Sequence, residues 1–160
     1  MIPLKYQHAI QGGLIYATGD TLAAVLLGEA QLSRVCGVLL VGSMLYAVEI
    51  PRYFAWIAQH FGPEVRGYTF KRALMAQLYF NPLWIARHMV LLKLVSGQIA
   101  QIQWGLLPLA FAAFVHALPL ALSVNYSIQN WLPLRWRFGA SALFSASMAV
   151  YYALSEVLYG

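Results

Sequence analysis

The sequence predicts an all-α fold: a polytopic membrane helix bundle of about five transmembrane helices (four is the other count), the second kinked at Pro51. Three observations predict it. Apolar residues make up 61% of the chain and charged residues only 9%, where a soluble domain carries about a quarter charged residues. Mean hydropathy is +0.66, and the apolar residues gather into stretches near the roughly 20 that a helix needs to cross the hydrocarbon core. The links between them, GEAQLS, GPEVRGYTFKR, SGQIAQIQ and NYSIQNWLPLRWR, are too short to hold a soluble domain. The 160 residues therefore read as a single integral membrane domain over 1–160.

Taken in order, the expected spans are Tyr6–Leu27, Arg34–Phe61, Ala73–Val95, Gly105–Val124 and Phe138–Leu158. The opening MIPLKYQHAI lacks a small-residue cleavage site after a short apolar core, so the first span is expected to be retained. In the second, Pro51 removes a backbone donor and clashes one turn back, so a kink or break is expected near Glu49–Arg52. In the third, Asn81 and Pro82 have the order of a helix start, with proline in the first turn.

Small residues recur at four-residue spacing in Ala9, Gly13, Ala17 and Thr21, in Ala113, Ala117 and Ala121, and in Ser141, Ser145, Ala149 and Ala153. In lipid, helices associate where small residues let backbones approach, so these ladders read as packing seams. Tyr6, Trp56, Tyr68, Trp104, Trp131, Trp136, Tyr152 and Tyr159 lie mostly near span ends, as an interfacial aromatic belt requires.

The net charge of +5 is dispersed. With five spans, Lys5, Arg66, Lys71, Arg72, Arg135 and Arg137 share one side, opposite Arg34 and Lys93. That asymmetry puts the N-terminus on the cytoplasmic or matrix side. A mitochondrial inner, a peroxisomal and a bacterial cytoplasmic membrane all fit. No basic cluster with interleaved aromatics suggests a nucleic-acid groove, so the expected partners are membrane lipids, other membrane subunits or further copies of the chain, and no nucleic acid. The single Cys36 permits no intramolecular disulfide.

No enzyme is expected, and no metal or cofactor. The four histidines, His8, His60, His88 and His116, are far apart in sequence and lack ligand spacing. There is no G-x-S-x-G turn and no phosphate-cradling glycine loop. The candidate functional residues are instead the ionisable groups inside spans: Asp20, Glu49, Arg52, Arg87 and His88. Glu49 and Arg52, at i and i+3, are expected to pair, leaving Asp20 as the expected partner of Arg87. His88 lies one turn from Trp84, with Asn81 on the same stripe. His116, alone in its span, is expected to be a satisfied interior histidine. The charged pairs serve either to lock helices together or to line a water-filled passage.

Four landmarks follow in order along nearly the whole chain: PLKYQHAIQGGLIYATGDTLA with Pro3, Gly13, Gly19 and Asp20; KRALMAQLYFNP with Lys71 or Arg72, Gln77 and Pro82; NWLPLRWR with Asn130, Trp131, Pro133 and Arg137; and the closing YYALS. Their order is similar to that of the Mpv-seventeen family, the small integral membrane proteins of peroxisomes and the mitochondrial inner membrane. Where that family has Gly-Pro followed by aromatics in its second span, this chain has EIPRYF. The resemblance implies an integral membrane protein with channel-like passage of ions or small solutes and no catalytic signature. The alternative is a structural or accessory subunit packed inside a larger membrane complex.

Overall fold

The computed structural model describes residues 3–159, with side chains to residue 151. It is all-α: the described residues form helices and turns and no strand. The helices are α1 (Leu4–Leu26), α2 (Leu32–His60), α3 (Tyr68–Tyr79), α4 (Pro82–Val95), α5 (Leu106–Trp131) and α6 (Leu134–Tyr159), with one 3₁₀ turn at Ile99–Gln101. They fall into two compact units, Met1–Arg52 with Arg135–Gly160 and Tyr53–Leu134. The chain passes from one to the other inside α2 and again at the start of α6.

Among the described residues, two helices, α2 and α5, are long and apolar enough to cross a membrane, by length and composition. α1 has the length, but Lys5, Gln7, His8, Gln11 and Asp20 dilute its apolar content. The third expected span is corrected: it is two helices, of 12 and 14 residues. At 1.5 Å per residue these reach about 18 and 21 Å, short of a hydrocarbon core. Asn81 makes the break. Its side chain donates to the Leu78 carbonyl at 3.0 Å and accepts from the Trp84 amide at 3.0 Å, sealing the end of α3 and the start of α4 together. Pro82 follows in the first turn, where its missing N–H costs nothing.

The irregularity in α2 also differs from the expectation at Pro51. The helix runs through Pro51 without a break, and its departure from α geometry is a π-helical segment at Val41–Tyr46, one turn earlier. A π turn loosens the backbone on the N-terminal side of the proline ring, which is the side the ring crowds.

In the first unit α1 packs against the first half of α2 through glycine. A Cβ placed on Gly12 would collide with the Gly42 carbonyl, and one on Gly42 with the Gly12 carbonyl, so the two backbones are in direct contact. Gly13 lies against Ser43 and the Leu39 carbonyl, and Gly19 against Ala146 of α6. The rings of Tyr16 and Tyr46 meet at a tilt of 58° with centroids 5.0 Å apart, and Phe138, Ala142, Tyr46 and Ile50 are almost wholly buried. Of the expected ladder on α1, Gly13 and Ala17 are buried and Ala9 and Thr21 half-buried, while the direct backbone contact is made by Gly12, outside that ladder.

α1 ends at Gly28, whose φ of 71° only glycine adopts without strain. The Glu29 amide bonds the Ala24 carbonyl at 2.8 Å and the Gly28 amide bonds Val25 at 3.1 Å, a Schellman stop. Gly97 closes α4 in the same way, with Gln98 bonded to Lys93.

In the second unit α3 and α5 run antiparallel, with α4 also against α5. Ala73, Ala76, Ala121 and Ile128 form its buried seam, Phe54 packs edge-on to Phe80, and the Tyr53 hydroxyl donates to the Met75 carbonyl at 3.0 Å.

Candidate functional site

The expected partner of Arg87 is taken. Asp20 sits two turns before the end of α1 and Arg34 in the first turn of α2, joined by the five-residue link that Gly28 turns back. Arg34 donates from Nε to Asp20 Oδ2 at 2.8 Å and from Nη2 to Oδ1 at 2.8 Å, the parallel fork that a guanidinium makes with a carboxylate. A third bond runs from Nη1 to Glu29 at 3.3 Å. The Asp20 and Arg34 side chains are only 8% and 12% exposed. A carboxylate with both oxygens held at that burial is spoken for, which is the physical reason the Asp20–Arg87 expectation is corrected.

The second expected pair is corrected too. Arg52 is exposed and makes no ion pair with Glu49, which is half-buried. Ile50, Phe54 and Ile57 are the buried residues of this stretch, and Arg52 lies on the face opposite Ile50, turned outward.

Arg87 and His88 belong to the second unit. The imidazole of His88 stacks on Trp84 at 5.7 Å and 8° between planes, and the guanidinium of Arg87 lies 5.9 Å from the same indole. The stripe of Asn81, Trp84 and His88 is thus continuous, since Asn81 caps the Trp84 amide. A cation over an indole face is held by the ring quadrupole. His116 is exposed on α5 rather than interior.

Sequence reasoning missed two arrangements. Arg34 was signalled by its spacing: residues flanking a short turn between antiparallel helices face each other, and 20 and 34 lie on either side of the link. The other is a buried amide cluster between α3 and α5. Asn125 Nδ2 donates to Gln77 Oε1 at 2.9 Å, Asn130 Nδ2 donates to the Thr69 carbonyl at 3.0 Å, and Gln129 is wholly buried between them. Its signal was three amides on two turns of an otherwise apolar helix, at 125, 129 and 130.

No group of three or more metal-binding side chains occurs among the described residues. The surface grooves of about 300 and 430 Å³ both lie along the C-terminal half of α5. No protein-family model, no curated protein and no solved structure matches the chain.

Proposed function

We propose that the chain is an integral membrane protein, related to the Mpv-seventeen family, that passes ions or small solutes by a channel-like route. Membrane insertion is supported by α5, of whose most apolar stretch only 11% is buried. The core helix of a soluble protein is buried on most sides, whereas a helix facing hydrocarbon is not. Large apolar side chains are exposed along α2 as well, with Leu40, Met44 and Val48 on one stripe.

The observation that carries the passage is Glu49. It lies about 25 Å from the start of α2 and about 16 Å from its end, at the depth of the hydrocarbon core, and is half-buried. Ionisable groups at that depth face a protein interior or water and mark solute pathways by default. Arg52, one turn on, supplies the opposite charge. The crossing segments in this reading are α1, α2, α3 with α4, α5 and α6, with the N-terminus on the cytoplasmic or matrix side; a broken third segment is tolerated where protein covers the break.

Purified protein in planar bilayers is expected to conduct. Glu49→Gln should lower the preference for cations, and Arg52→Gln should raise it. Two opposite shifts distinguish a lining role from a structural one, and a silent bilayer containing folded protein would sink the reading. The exposed stripe of Leu40, Met44 and Val48 favours the alternative, a subunit packed inside a larger membrane complex. In that case mild-detergent purification should bring partners down in fixed stoichiometry.

A further inference from the structure

We propose that α5 is the contact face of a parallel homodimer in the membrane, with Leu109, Ala112, His116, Pro119 and Ser123 as its seam and His116 of each copy hydrogen-bonded to the partner's His116. This rests on the membrane reading above, and names a surface and a partner that reading does not.

α3 and α4 cover one side of α5. On the other, Leu109, Ala112, His116, Pro119 and Ser123 are all exposed. Their successive steps of three, four, three and four residues repeat with the period that keeps one stripe against a neighbouring helix along its length. The stripe runs for about 21 Å of α-helix. A helix that met only lipid would need no such repeat, since lipid tails are as apolar as leucine and accept large side chains anywhere. Ala112 and Ser123 are small, which lets a second backbone approach. Val115 and Leu120 flank the stripe with exposed apolar side chains. The Ser123 hydroxyl donates to the Pro119 carbonyl at 2.9 Å, so its proton is already used within α5.

His116 decides what covers the stripe. It lies about 15 Å from the start of α5 and about 22 Å from its end, at the depth of the hydrocarbon core. It makes no hydrogen bond, ion pair or ring contact among the described residues. Ionisable side chains at that depth face protein or water almost without exception, and a lipid tail offers an imidazole neither donor nor acceptor. The neutral imidazole carries one N–H and one lone pair, so it is complementary to a second copy of itself. A two-fold axis along the membrane normal sets each residue opposite its own counterpart at equal depth, which brings the two imidazoles together. The same axis makes the two helices parallel, an arrangement that this repeat serves. A single polar residue within such a seam fixes register and helix number. His116 is central, with two seam residues before it and two after.

The test uses the purified full chain with Cys36→Ser, which removes the one native thiol, in phosphatidylcholine vesicles. The single-cysteine variants Ala112→Cys and Ser123→Cys should form disulfide-linked dimers on iodine oxidation. Leu107→Cys and Phe111→Cys, exposed but off the stripe, should stay monomeric, since a disulfide needs Cα atoms within about 7 Å. Self-association is then read as energy transfer between copies labelled at the amino terminus. His116→Leu should weaken it about threefold. His116→Asn, which keeps a donor and an acceptor, should hold it. Ala112→Leu should weaken it about tenfold, by forcing the backbones apart. Equal linkage at all four positions overturns the seam, and undiminished association of His116→Leu overturns the histidine pair. Inserted protein that never links overturns the dimer alone, whereas protein that stays outside the vesicles overturns the membrane reading itself.

Discussion

The two units solve the same problem by different chemistry. In the first, helices touch backbone to backbone at Gly12 and Gly42, and one forked ion pair, Arg34 with Asp20, closes the α1–α2 hairpin. In the second, alanines set the distance and amides fasten it, with Gln77 to Asn125 and Asn130 to Thr69 bridging α3 and α5. Polar side chains between helices are thus used twice, once as full charges and once as neutral amides. The difference predicts unequal sensitivity. A charge stripped of its partner keeps its whole desolvation cost, whereas an amide that loses one bond loses little.

The largest expected effect follows from that contrast. Arg34→Leu leaves the buried Asp20 carboxyl group without its partner, and should destabilise the protein by about 3 kcal/mol in denaturant titration in detergent. Adding Asp20→Leu should recover most of it, because the unpartnered carboxyl group goes too. Should the double variant remain as unstable as the single one, the pair is not the reason.

Gly42→Ala comes next. Its new methyl group meets the Gly12 carbonyl, a backbone atom that cannot rotate away. The expected cost is about 2 kcal/mol, read as a lowered Tm. An alanine tolerated there without loss would show that the two helices can separate freely.

In the second unit Asn81→Ala should cost about 1 kcal/mol, the usual value of a lost N-cap. The loss should register as faster hydrogen exchange at the first amides of α4. The smallest effect belongs to Asn125→Leu, at about 0.6 kcal/mol. A double-mutant cycle with Gln77→Leu measures whether the amides are coupled beyond that. If Asn125→Leu proved as costly as Arg34→Leu, the contrast between the two units would collapse.

Much of the fold was legible because apolar length and helix signals are local. The first, second and fifth expected spans have helices at nearly the same bounds, and Asn81–Pro82 correctly marked a helix start. That signal outweighed the continuous hydrophobicity of residues 73–95: the run is apolar on both sides of the helix break, and hydropathy alone does not register a cap. The ion pairs were less legible. Pairing Glu49 with Arg52 used spacing along one helix, but whether neighbours on a helix meet depends on which face is buried, and Ile50 and Phe54 decide that. Pairing Asp20 with Arg87 assumed adjacency of distant helices, while the nearer partner lay just across a turn. The amides at 125, 129 and 130 were invisible to a search for charge. Neutral polar groups in an apolar helix carry the same information at lower amplitude.

The π segment at Val41–Tyr46 has a consequence for how this chain can vary. A π turn holds one residue more than the α turn it replaces. Removing any one residue between 41 and 46 would let the backbone anneal into ordinary α-helix at small local cost. The π turn and the α turn that would replace it each close one circle, so positions beyond it, Ile50 among them, would keep the face they bury. The segment absorbs one residue without turning the rest of the helix. A single deletion between 41 and 46 should therefore be better tolerated than one in the regular α-helical part of α2, where everything beyond would swing by about 100°.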